Sequence, residues 1–307
     1  MPSQPFHGVL VPVLTPFTAA GQPDAGRFVA FCRWLIEEGA GGLAIFGTTS
    51  EANSMSAGER MELLDRLIEA GIPPRLLMPG TGACALTDAV TLVRHAVGHG
   101  CGGVLMLPPF YYKPVGDDGI FAFLSQVIDK VGSAALKVFL YHIPPVAVVG
   151  YSLGLVSRLI VAYPETVVGL KDSSGDWSNT AALLDRFPGF AVFPGSEVFL
   201  LEALRSGGAG CITATGNINA AGIARIYDNW RNPEADTLQA AATALRRVMQ
   251  AYPMAPALKR VIAHFRGDPG WAAVRPPLVA LAPAPSAALI ADLATLGFDL
   301  GERRQAA

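Results

Sequence analysis

Short apolar runs alternate with amphipathic helical patterns along most of this chain, and this alternation constrains the fold more than any other feature. Eight such runs can be recognised, at residues 8–15, 42–46, 75–78, 103–107, 137–141, 167–171, 191–194 and 210–213. Their ends lie 19 to 34 residues apart, from Pro194 to Thr213 at the shortest and from Leu107 to Tyr141 at the longest. That spacing accommodates a loop, a helix and the next strand, and strict alternation of strands and helices is typical of a parallel sheet. Eight repeats predict an α/β fold, a closed (β/α)8 TIM barrel.

The segments between the runs have apolar residues at helical spacing and predict an outer ring of helices. The clearest of them span residues 24–38, 57–70, 87–99, 117–131 and 153–163. After the last run the chain becomes wholly helical. We therefore predict a barrel over residues 1–216 and a C-terminal helical extension over residues 217–307 that packs on it.

Two other architectures with alternating elements, an open doubly wound sheet and a solenoid, would each require a sequence motif. An open doubly wound sheet that binds a dinucleotide needs Gly-x-Gly-x-x-Gly after its first strand, and this chain has no such motif there. A solenoid would repeat a consensus from unit to unit, and none recurs. The barrel is favoured over both.

Composition limits the classes of partner. Only 16% of the residues are charged, against a usual share of about 25%, so we expect part of the surface to be buried between subunits of a homo-oligomer. The net charge of −2, with no basic run beyond Arg246-Arg247, argues against nucleic acid. No apolar stretch approaches the roughly 18 residues of a membrane helix, and the start resembles no signal peptide. A cytoplasmic protein without a membrane partner is predicted.

The cysteines and histidines show no pattern typical of a metal site. The four cysteines, at positions 32, 84, 101 and 211, form no Cys-x-x-Cys pair, and we interpret them as small core residues rather than as a disulfide framework. Histidines 7, 95, 99 and 264 are judged to share no metal-binding spacing. Neither a metal nor a diffusible cofactor is predicted.

Lys171 is the strongest candidate for chemistry, because it ends the apolar run 166–170. A buried ammonium group is costly unless it is paired or loses its proton, and a neutral amine is the form that attacks a carbonyl. The alternatives are a surface lysine beyond the strand or an ion pair with Asp172.

Other polar residues fall where strands end, which is the active-site face of such a barrel. Tyr141 ends the fifth run and would neighbour Lys171, although it could equally be a core aromatic residue. Gly47, Thr48 and Thr49 follow the second run and could bind a carboxylate through backbone N–H groups, or form a plain turn with Ser50 or Asn53 as a helix cap. Gly195 follows the seventh run.

Taken together, these residues resemble the dihydrodipicolinate synthase / N-acetylneuraminate lyase family of class I, pyruvate-dependent aldolases. The resemblance rests on Gly-Thr-Thr at 47–49, the tyrosines at 111 and 112, Tyr141 followed by Ile-Pro, Lys171 in Leu-Lys-Asp-Ser, and the segment 210–217. It covers about residues 6–300. It implies a (β/α)8 barrel with a helical C-terminal extension, assembled as a homotetramer that is a dimer of dimers.

The resemblance also implies roles for individual residues. Lys171 would form a Schiff base with pyruvate or another 2-oxo acid, so that no separate cofactor is needed, and Tyr141 would move protons. Thr48 and Thr49 would hold the carboxylate or extend the proton relay, with Gly47 and Gly195 beside the substrate. In the same scheme Tyr112 would reach a neighbouring subunit's site, and Ile212 would line the pyruvate end through its backbone.

One departure bears on the second substrate. Dihydrodipicolinate synthases carry an arginine five residues after the tyrosine, where it binds the carboxylate of aspartate semialdehyde, and this chain has Val146 there. The polyol-binding groups of sialic acid lyases are also sparse, with Val198 and Ala214 where polar residues would be expected. We therefore predict a lyase that makes or breaks a C–C bond between a 2-oxo acid and an aldehyde that is shorter or less polar than these two substrates.

Three alternatives remain open. They are 4-hydroxy-tetrahydrodipicolinate synthase, which Val146 disfavours, a Schiff-base sugar-acid dehydratase, and a non-catalytic 2-oxo acid binder.

Overall fold

Seven parallel strands form the centre of the molecule. The computed structural model describes residues 6–301. In this range the strands are β1 (Gly8–Val11), β2 (Gly42–Leu43), β3 (Val104–Met106), β4 (Val138–His142), β5 (Val167–Asp172), β6 (Ala191–Pro194) and β7 (Gly210–Ile212). They form two hydrogen-bonded groups with the orders β2-β1-β7 and β3-β4-β5-β6.

The two groups close into a ring through short stretches of hydrogen bonds. Between β2 and β3, Met78 N donates to Leu43 O (2.9 Å) and Leu105 N donates to Pro79 O (2.9 Å), while Ala209 N donates to Val192 O (3.0 Å) between β6 and β7. The segment around residues 77–81 therefore occupies the third of eight strand positions. This arrangement, with helices between the strands, confirms the predicted (β/α)8 barrel.

The predicted third strand, residues 75–78, is wrong in its bounds. Residues 74–76 form a 3-10 helix, and only single bridges, from Leu77 to Leu43 and from Gly80 to Leu105, occupy this position. Proline has no N–H to donate to a ladder, and Pro73-Pro74 opens the segment. Pairing consequently begins only at residue 77.

Twelve α-helices surround the strands in the described range, and the five helices predicted with bounds begin and end close to the predicted residues. Their bounds are α1 Ala25–Glu37, α2 Ala57–Glu69, α3 Leu86–Gly98, α4 Asp117–Val131, α5 Pro144–Ala147, α6 Leu153–Ala162, α7 Trp177–Arg186, α8 Leu200–Arg205, α9 Gly216–Asn229, α10 Ala235–Gln250, α11 Met254–Phe265 and α12 Pro283–Thr295. Further 3-10 helices span Ala52–Ser54, Glu197–Phe199 and Pro269–Ala272. None of the described helices has the length and apolar character needed to span a membrane.

Side-chain caps explain several of these starts. Asp24 accepts a hydrogen bond from Arg27 N at the start of α1, and Ser56 forms a reciprocal capping box with Glu59 at the start of α2. Each cap satisfies backbone donors that have no partner inside the helix. These local signals explain why the helix bounds could be predicted.

The inside of the barrel is filled by large side chains below the candidate site. Phe139 on β4 and Phe193 on β6 are fully buried, with ring centroids 6.1 Å apart. Gly169 on β5 makes room for them, because a Cβ atom there would lie 2.5 Å from the Phe139 ring. Tyr141 and Lys171 follow two residues after Phe139 and Gly169, so they point to the same inner face one layer higher.

The C-terminal helices are tied to the barrel by a buried ion pair. Lys259 on α11 and Glu51, in the loop after β2, are in direct contact, and neither side chain is exposed. Lys259 Nζ also donates to Ala273 O (2.7 Å) and lies 4.4 Å from the centroid of the Phe17 ring. Burial lowers the pKa of Lys259 to about 8, against the opposing effect of Glu51.

Arg275 makes a second attachment. Its guanidinium donates to both carboxylate oxygens of Glu59 and to Ser54 O, and its backbone N–H donates to Glu51 (2.9 Å). The predicted boundary after residue 216 falls at the start of α9, whose Tyr227 packs against Gly8 of β1. The division into residues 1–216 and 217–307 remains a prediction.

The cysteines are all unpaired. Cys32 and Cys211 are buried, as predicted for small core residues, whereas Cys84 is exposed and does not fit that interpretation. Cys84 lies in the loop before α3, where its side chain has no core to enter.

Candidate active site

Lys171 lies near the end of β5, and its side chain is buried. Only 5% of the residue is exposed, and its register neighbours are Tyr141 on β4 and Phe193 on β6. Its Nζ atom is 4.3 Å from the centroid of the Tyr141 ring. No carboxylate within residues 6–301 forms a salt bridge with it. The surface-lysine interpretation is therefore wrong, and a buried amine faces the barrel mouth.

Asp172 does not pair with Lys171, because its carboxylate binds other groups. Oδ1 accepts a hydrogen bond from Ser174 N (2.9 Å), and Oδ2 accepts one from Thr180 Oγ1 (2.6 Å). Successive side chains on a strand point to opposite faces, which directs Asp172 away from the amine. Asp172 thus organises the turn after β5.

Tyr141 connects Lys171 with the loop after β2. Its ring lies beside the lysine amine, and its hydroxyl is 3.2 Å from Thr48 Oγ1, a distance that allows either group to donate. Tyr141 is 4% exposed. The phenol therefore has a hydrogen-bonding partner and also belongs to the packed interior, so both predicted descriptions of this residue apply.

The loop after β2 brings Thr48 and Thr49 to the same place. Ser50 is buried, and its Oγ accepts a hydrogen bond from Gly47 N (3.2 Å), which closes the turn. Neither Ser50 nor Asn53 caps α2, because Ser56 does so. Among the described residues, the backbone N–H groups of Thr48 and Thr49 donate to no other group. These two donors are available to a ligand.

Lys171, Tyr141, Thr48 and Thr49 line one cavity of about 300 Å³. Its wall is formed by residues 48, 49, 141, 143, 145, 146, 171–173, 175, 180, 195, 196, 199, 214, 246 and 254. Gly195 is there because it has no side chain: a Cβ atom would lie 2.1 Å from Ser173 Oγ. The cavity lies at the carboxyl ends of the strands, as expected for a barrel enzyme.

Three predicted residues do not line this cavity. Gly47 lines a smaller adjoining space that shares Thr48 and Tyr141 with it. Ile212 on β7 is fully buried in the barrel interior, and Ala214, two residues further on, reaches the wall instead. Tyr112 is 76% exposed, packs edge-on against Tyr111 and lies outside the cavity.

The His142 ring binds the backbone of the segment after β4. Its Nδ1 accepts a hydrogen bond from Tyr151 N (2.9 Å), and burial lowers its pKa although Asp172 opposes the shift. A neutral ring that accepts a backbone hydrogen bond stabilises the turn after β4.

Sequence reasoning missed Arg246. This residue lies on α10 in the C-terminal extension, and its side chain, 15% exposed, reaches the cavity wall. Its Nη1 donates to Thr213 Oγ1 (3.3 Å) and lies 3.7 Å from Glu197 Oε2. Helical periodicity could have placed Arg246 on the buried face of α10, because it follows the buried Ala242 by four residues and precedes the buried Met249 by three, but it does not indicate the cavity.

Outside the cavity, the described residues contain one group with a metal-ligand arrangement. The ligand atoms of Asp65, His95 and His99 lie within 4.8 Å of one another, between α2 and α3. The view that these histidines share no metal-binding spacing is wrong, since residues four apart on a helix lie on one face. Both rings contact Asp65 Oδ1, at 2.9 and 2.7 Å, and so link the two helices.

The arrangement supports one kind of chemistry. A buried amine, a phenol next to it and free N–H donors on a loop line one cavity at the barrel mouth. An amine in such a space can condense with a ketone, and a phenol can transfer protons to and from the resulting groups.

Comparison with known proteins agrees with this description. The profile of the dihydrodipicolinate synthetase family matches residues 5–295. A relative from Chloroflexus aurantiacus, named an uncharacterized DapA-like lyase, is 34% identical over 285 residues, which cover 92% of this chain and 94% of the relative. The 4-hydroxy-tetrahydrodipicolinate synthase of Acidiphilium cryptum is 31% identical, with coverages of 95% and 99%.

Solved structures give the same result. Dihydrodipicolinate synthase from Agrobacterium tumefaciens superposes with a TM-score of 0.88 at 32% identity, covering 94% of this chain and 99% of that one. YagE, an Escherichia coli prophage protein of the dihydrodipicolinic acid synthase family, was solved in complex with pyruvate. It superposes with a TM-score of 0.86 at 26% identity, with coverages of 95% and 99%.

Proposed function

Because the chain belongs to the dihydrodipicolinate synthetase family, whose members are lyases that hold pyruvate as a Schiff base on a lysine, we propose that Lys171 is that lysine. The observation that carries the proposal is the environment of its amine, which is buried, unpaired with any described carboxylate and 4.3 Å from the Tyr141 ring. The substrates are a 2-oxo acid and an aldehyde, and the residues of this chain supply the chemistry.

The reaction begins with attack of the neutral Lys171 amine on the ketone carbon of the 2-oxo acid. Loss of water gives an imine, and its protonated nitrogen accepts electrons from the neighbouring carbon. In the synthetic direction a proton leaves C3, and the resulting enamine attacks the aldehyde carbon to form the new C–C bond. Water then hydrolyses the imine and regenerates the amine. In the opposite direction the same C–C bond breaks, and the aldehyde is released.

Tyr141 is assigned the proton transfers. Its hydroxyl, hydrogen-bonded to Thr48 Oγ1 at 3.2 Å, can give a proton to the alkoxide that forms when the aldehyde is attacked, and take it back in cleavage. The free N–H groups of Thr48 and Thr49 are assigned to the carboxylate next to the imine. Gly195 leaves room beside this substrate. Gly47 stabilises the loop through its hydrogen bond to Ser50, and Ile212 packs in the barrel interior below the substrate.

The experiment that tests the proposal is intact mass spectrometry after borohydride reduction in the presence of pyruvate. We expect a reduced pyruvyl adduct on the wild type and none on Lys171→Ala. Lys113→Ala, which removes an exposed lysine of the loop after β3, is the control and should form the adduct normally. A folded wild-type protein without an adduct, or an adduct that survives in Lys171→Ala, would refute the assignment.

Synthesis of 4-hydroxy-tetrahydrodipicolinate is the alternative that the names of several relatives favour. Val146 stands where dihydrodipicolinate synthases carry an arginine, lines the cavity and is 62% exposed. Because its side chain is uncharged, it cannot pair with the carboxylate of aspartate semialdehyde. Val146→Arg should increase turnover of this aldehyde if the missing cation is the barrier. A sugar-acid dehydratase and a non-catalytic binder are disfavoured, because no described residue of the cavity specifically favours either of them.

The assembly is proposed to be a homotetramer. Tyr111 and Tyr112 are 74% and 76% exposed, and large exposed aromatic side chains are enriched at interfaces between proteins. Tyr112 is assigned to a neighbouring subunit's site. Light scattering after gel filtration measures the number of subunits. Tyr112→Ala should lower either this number or the turnover rate. A cytoplasmic location is part of the same proposal.

A further inference from the structure

Arg246 is a second basic side chain in the cavity, and the Schiff-base reaction does not use it. Of the described residues that line the cavity, Lys171 and Arg246 are the basic ones. Lys171 comes from the end of a barrel strand, whereas Arg246 comes from α10 of the C-terminal extension. An arginine remains charged at any ordinary pH, so it places a permanent positive charge beside the substrate.

The guanidinium is only loosely held by the protein. Its Nη1 contacts, 3.3 Å to Thr213 Oγ1 and 3.7 Å to Glu197 Oε2, are long compared with the roughly 2.7–2.9 Å of a charge-assisted hydrogen bond. Its Nε is buried and has no hydrogen-bond partner within residues 6–301. A buried N–H group without a partner is unfavourable, so the protein does not use the full donor capacity of this guanidinium.

Glu197 does not require the arginine as its main partner. The carboxylate is fully buried, and each of its oxygens accepts a hydrogen bond from a threonine hydroxyl, Thr213 at one and Thr215 at the other. Glu197 and Thr213 therefore act as a support that directs Arg246 toward the cavity while leaving part of its donor capacity free. Gln239, on the same helix, donates to Glu197 O (2.9 Å) and holds α10 against this support.

We infer that Arg246 binds an anionic group, a carboxylate or phosphate, on the aldehyde that reacts with the 2-oxo acid. The inference rests on the proposed Schiff-base function. The carboxylate of the 2-oxo acid already has the Thr48 and Thr49 N–H groups as partners, so the charge of Arg246 is available to the second substrate. This inference replaces the sequence-based expectation of an acceptor end without a cation, because the cation comes from α10 and not from α5, which contains Val146.

The first test compares matched aldehydes in the aldol direction with pyruvate. Succinic semialdehyde and butanal have the same chain length but differ in a carboxylate, and glycolaldehyde phosphate and glycolaldehyde differ in a phosphate. For Arg246→Met we expect kcat/KM to fall roughly 10- to 100-fold for a charged aldehyde and to stay within about threefold for its neutral counterpart. Arg247→Met, which removes the exposed neighbouring arginine on the same helix, is the control and should change neither value.

A second test does not depend on turnover. The pyruvyl adduct is trapped with borohydride, so the 2-oxo acid end is filled, and binding of succinate and of inorganic phosphate is measured by calorimetry. The trapped wild type should bind at least one of them, and its Kd should rise at least tenfold in Arg246→Met and remain unchanged in Arg247→Met. The anion that binds more tightly identifies the group that the aldehyde carries. Arg246→Gln, which keeps a donor for Thr213, replaces Arg246→Met if the latter does not fold.

The outcomes separate this inference from the proposed function. A wild type that forms no pyruvyl adduct refutes the Schiff-base function itself. A wild type that forms the adduct but binds neither anion, or an Arg246→Met variant that loses charged and neutral aldehydes equally, overturns only the inference and assigns Arg246 to the positioning of Glu197. Loss of the adduct in folded Arg246→Met would instead assign it to the carboxylate of pyruvate, which also overturns the inference.

Discussion

Replacing Lys259 by methionine should be strongly destabilising, because it removes one partner of a fully buried ion pair. Methionine keeps a similar length of apolar stem above the Phe17 ring, so packing is largely retained. What disappears is the positive charge next to Glu51, together with the hydrogen bond to Ala273 O.

The magnitude follows from the burial of Glu51. Breaking a buried pair from one side typically costs about 3–5 kcal/mol, because the other charge is left without compensation. For a chain of 307 residues such a loss corresponds to a decrease in Tm of roughly 5–8 °C. The lowered pKa of Lys259, about 8, means that desolvation outweighs the attraction of Glu51, so the pair itself contributes little net stability. The double variant Glu51→Gln, Lys259→Met should consequently recover about 2 kcal/mol or more.

Thermal unfolding followed by circular dichroism at one scan rate gives the Tm of the wild type and both variants. Lys130→Met, on the exposed face of α4, is the control for loss of a lysine charge and should melt with the wild type. Pyruvyl adduct formation should also weaken in Lys259→Met, because Glu51 follows Thr49 by two residues. A single variant that melts within about 2 °C of the wild type, or a double variant that is no more stable than the single one, would contradict this reasoning.

Three further perturbations have defined outcomes. Tyr141→Phe removes the hydroxyl but keeps the ring beside Lys171, so we expect kcat to fall about 10²- to 10⁴-fold while the trapped pyruvyl adduct still forms; unchanged kcat would exclude Tyr141 as the proton donor. The hydrogen bond from Arg275 lowers the pKa of Glu59 from 4.5 to about 2, so this interaction stabilises the fold fully above about pH 4.5 and is lost as the pH falls toward 2. The difference in Tm between the wild type and Glu59→Gln should therefore shrink between about pH 5 and pH 3, and a constant difference would argue against the carboxylate as its source. Val148 is 69% exposed and has a φ of 62°, a conformation that a β-branched residue adopts only under strain. Val148→Asn should therefore raise the free energy of unfolding in urea by about 1 kcal/mol. The control Val146→Asn should not raise it.

The outer helices and most strands could be predicted because their signals are local. The helix at residues 117–131 has the predicted bounds, and the capping box of Ser56 and Glu59 marks the start of α2 within the sequence itself. Lys171 and Tyr141 could also be paired in advance, since consecutive strands of a parallel barrel lie side by side and both residues end their strands. Their register in the structure follows from this.

The third strand was predicted incorrectly because an apolar run does not reveal whether its backbone donors reach a neighbour. Pro73-Pro74 lies directly before the run and cannot donate to a ladder, and only residues from 77 onward pair with β2 and β3. The histidine pair at 95 and 99 was misjudged for a related reason. Its spacing is visible in the sequence, but Asp65 joins it only when α2 and α3 pack together.

The sequence by itself determined the alternation of strands and helices, the barrel, and the lysine and tyrosine of the site, because each of these depends on periodicity or on order along the chain. The tertiary structure alone decided that Glu51 meets Lys259 and that Arg246 reaches the cavity. These contacts join residues far apart in the chain, and no local pattern encodes the distance between them. The positive charge of Arg246 at the cavity wall therefore comes from a helix that the sequence describes only as amphipathic.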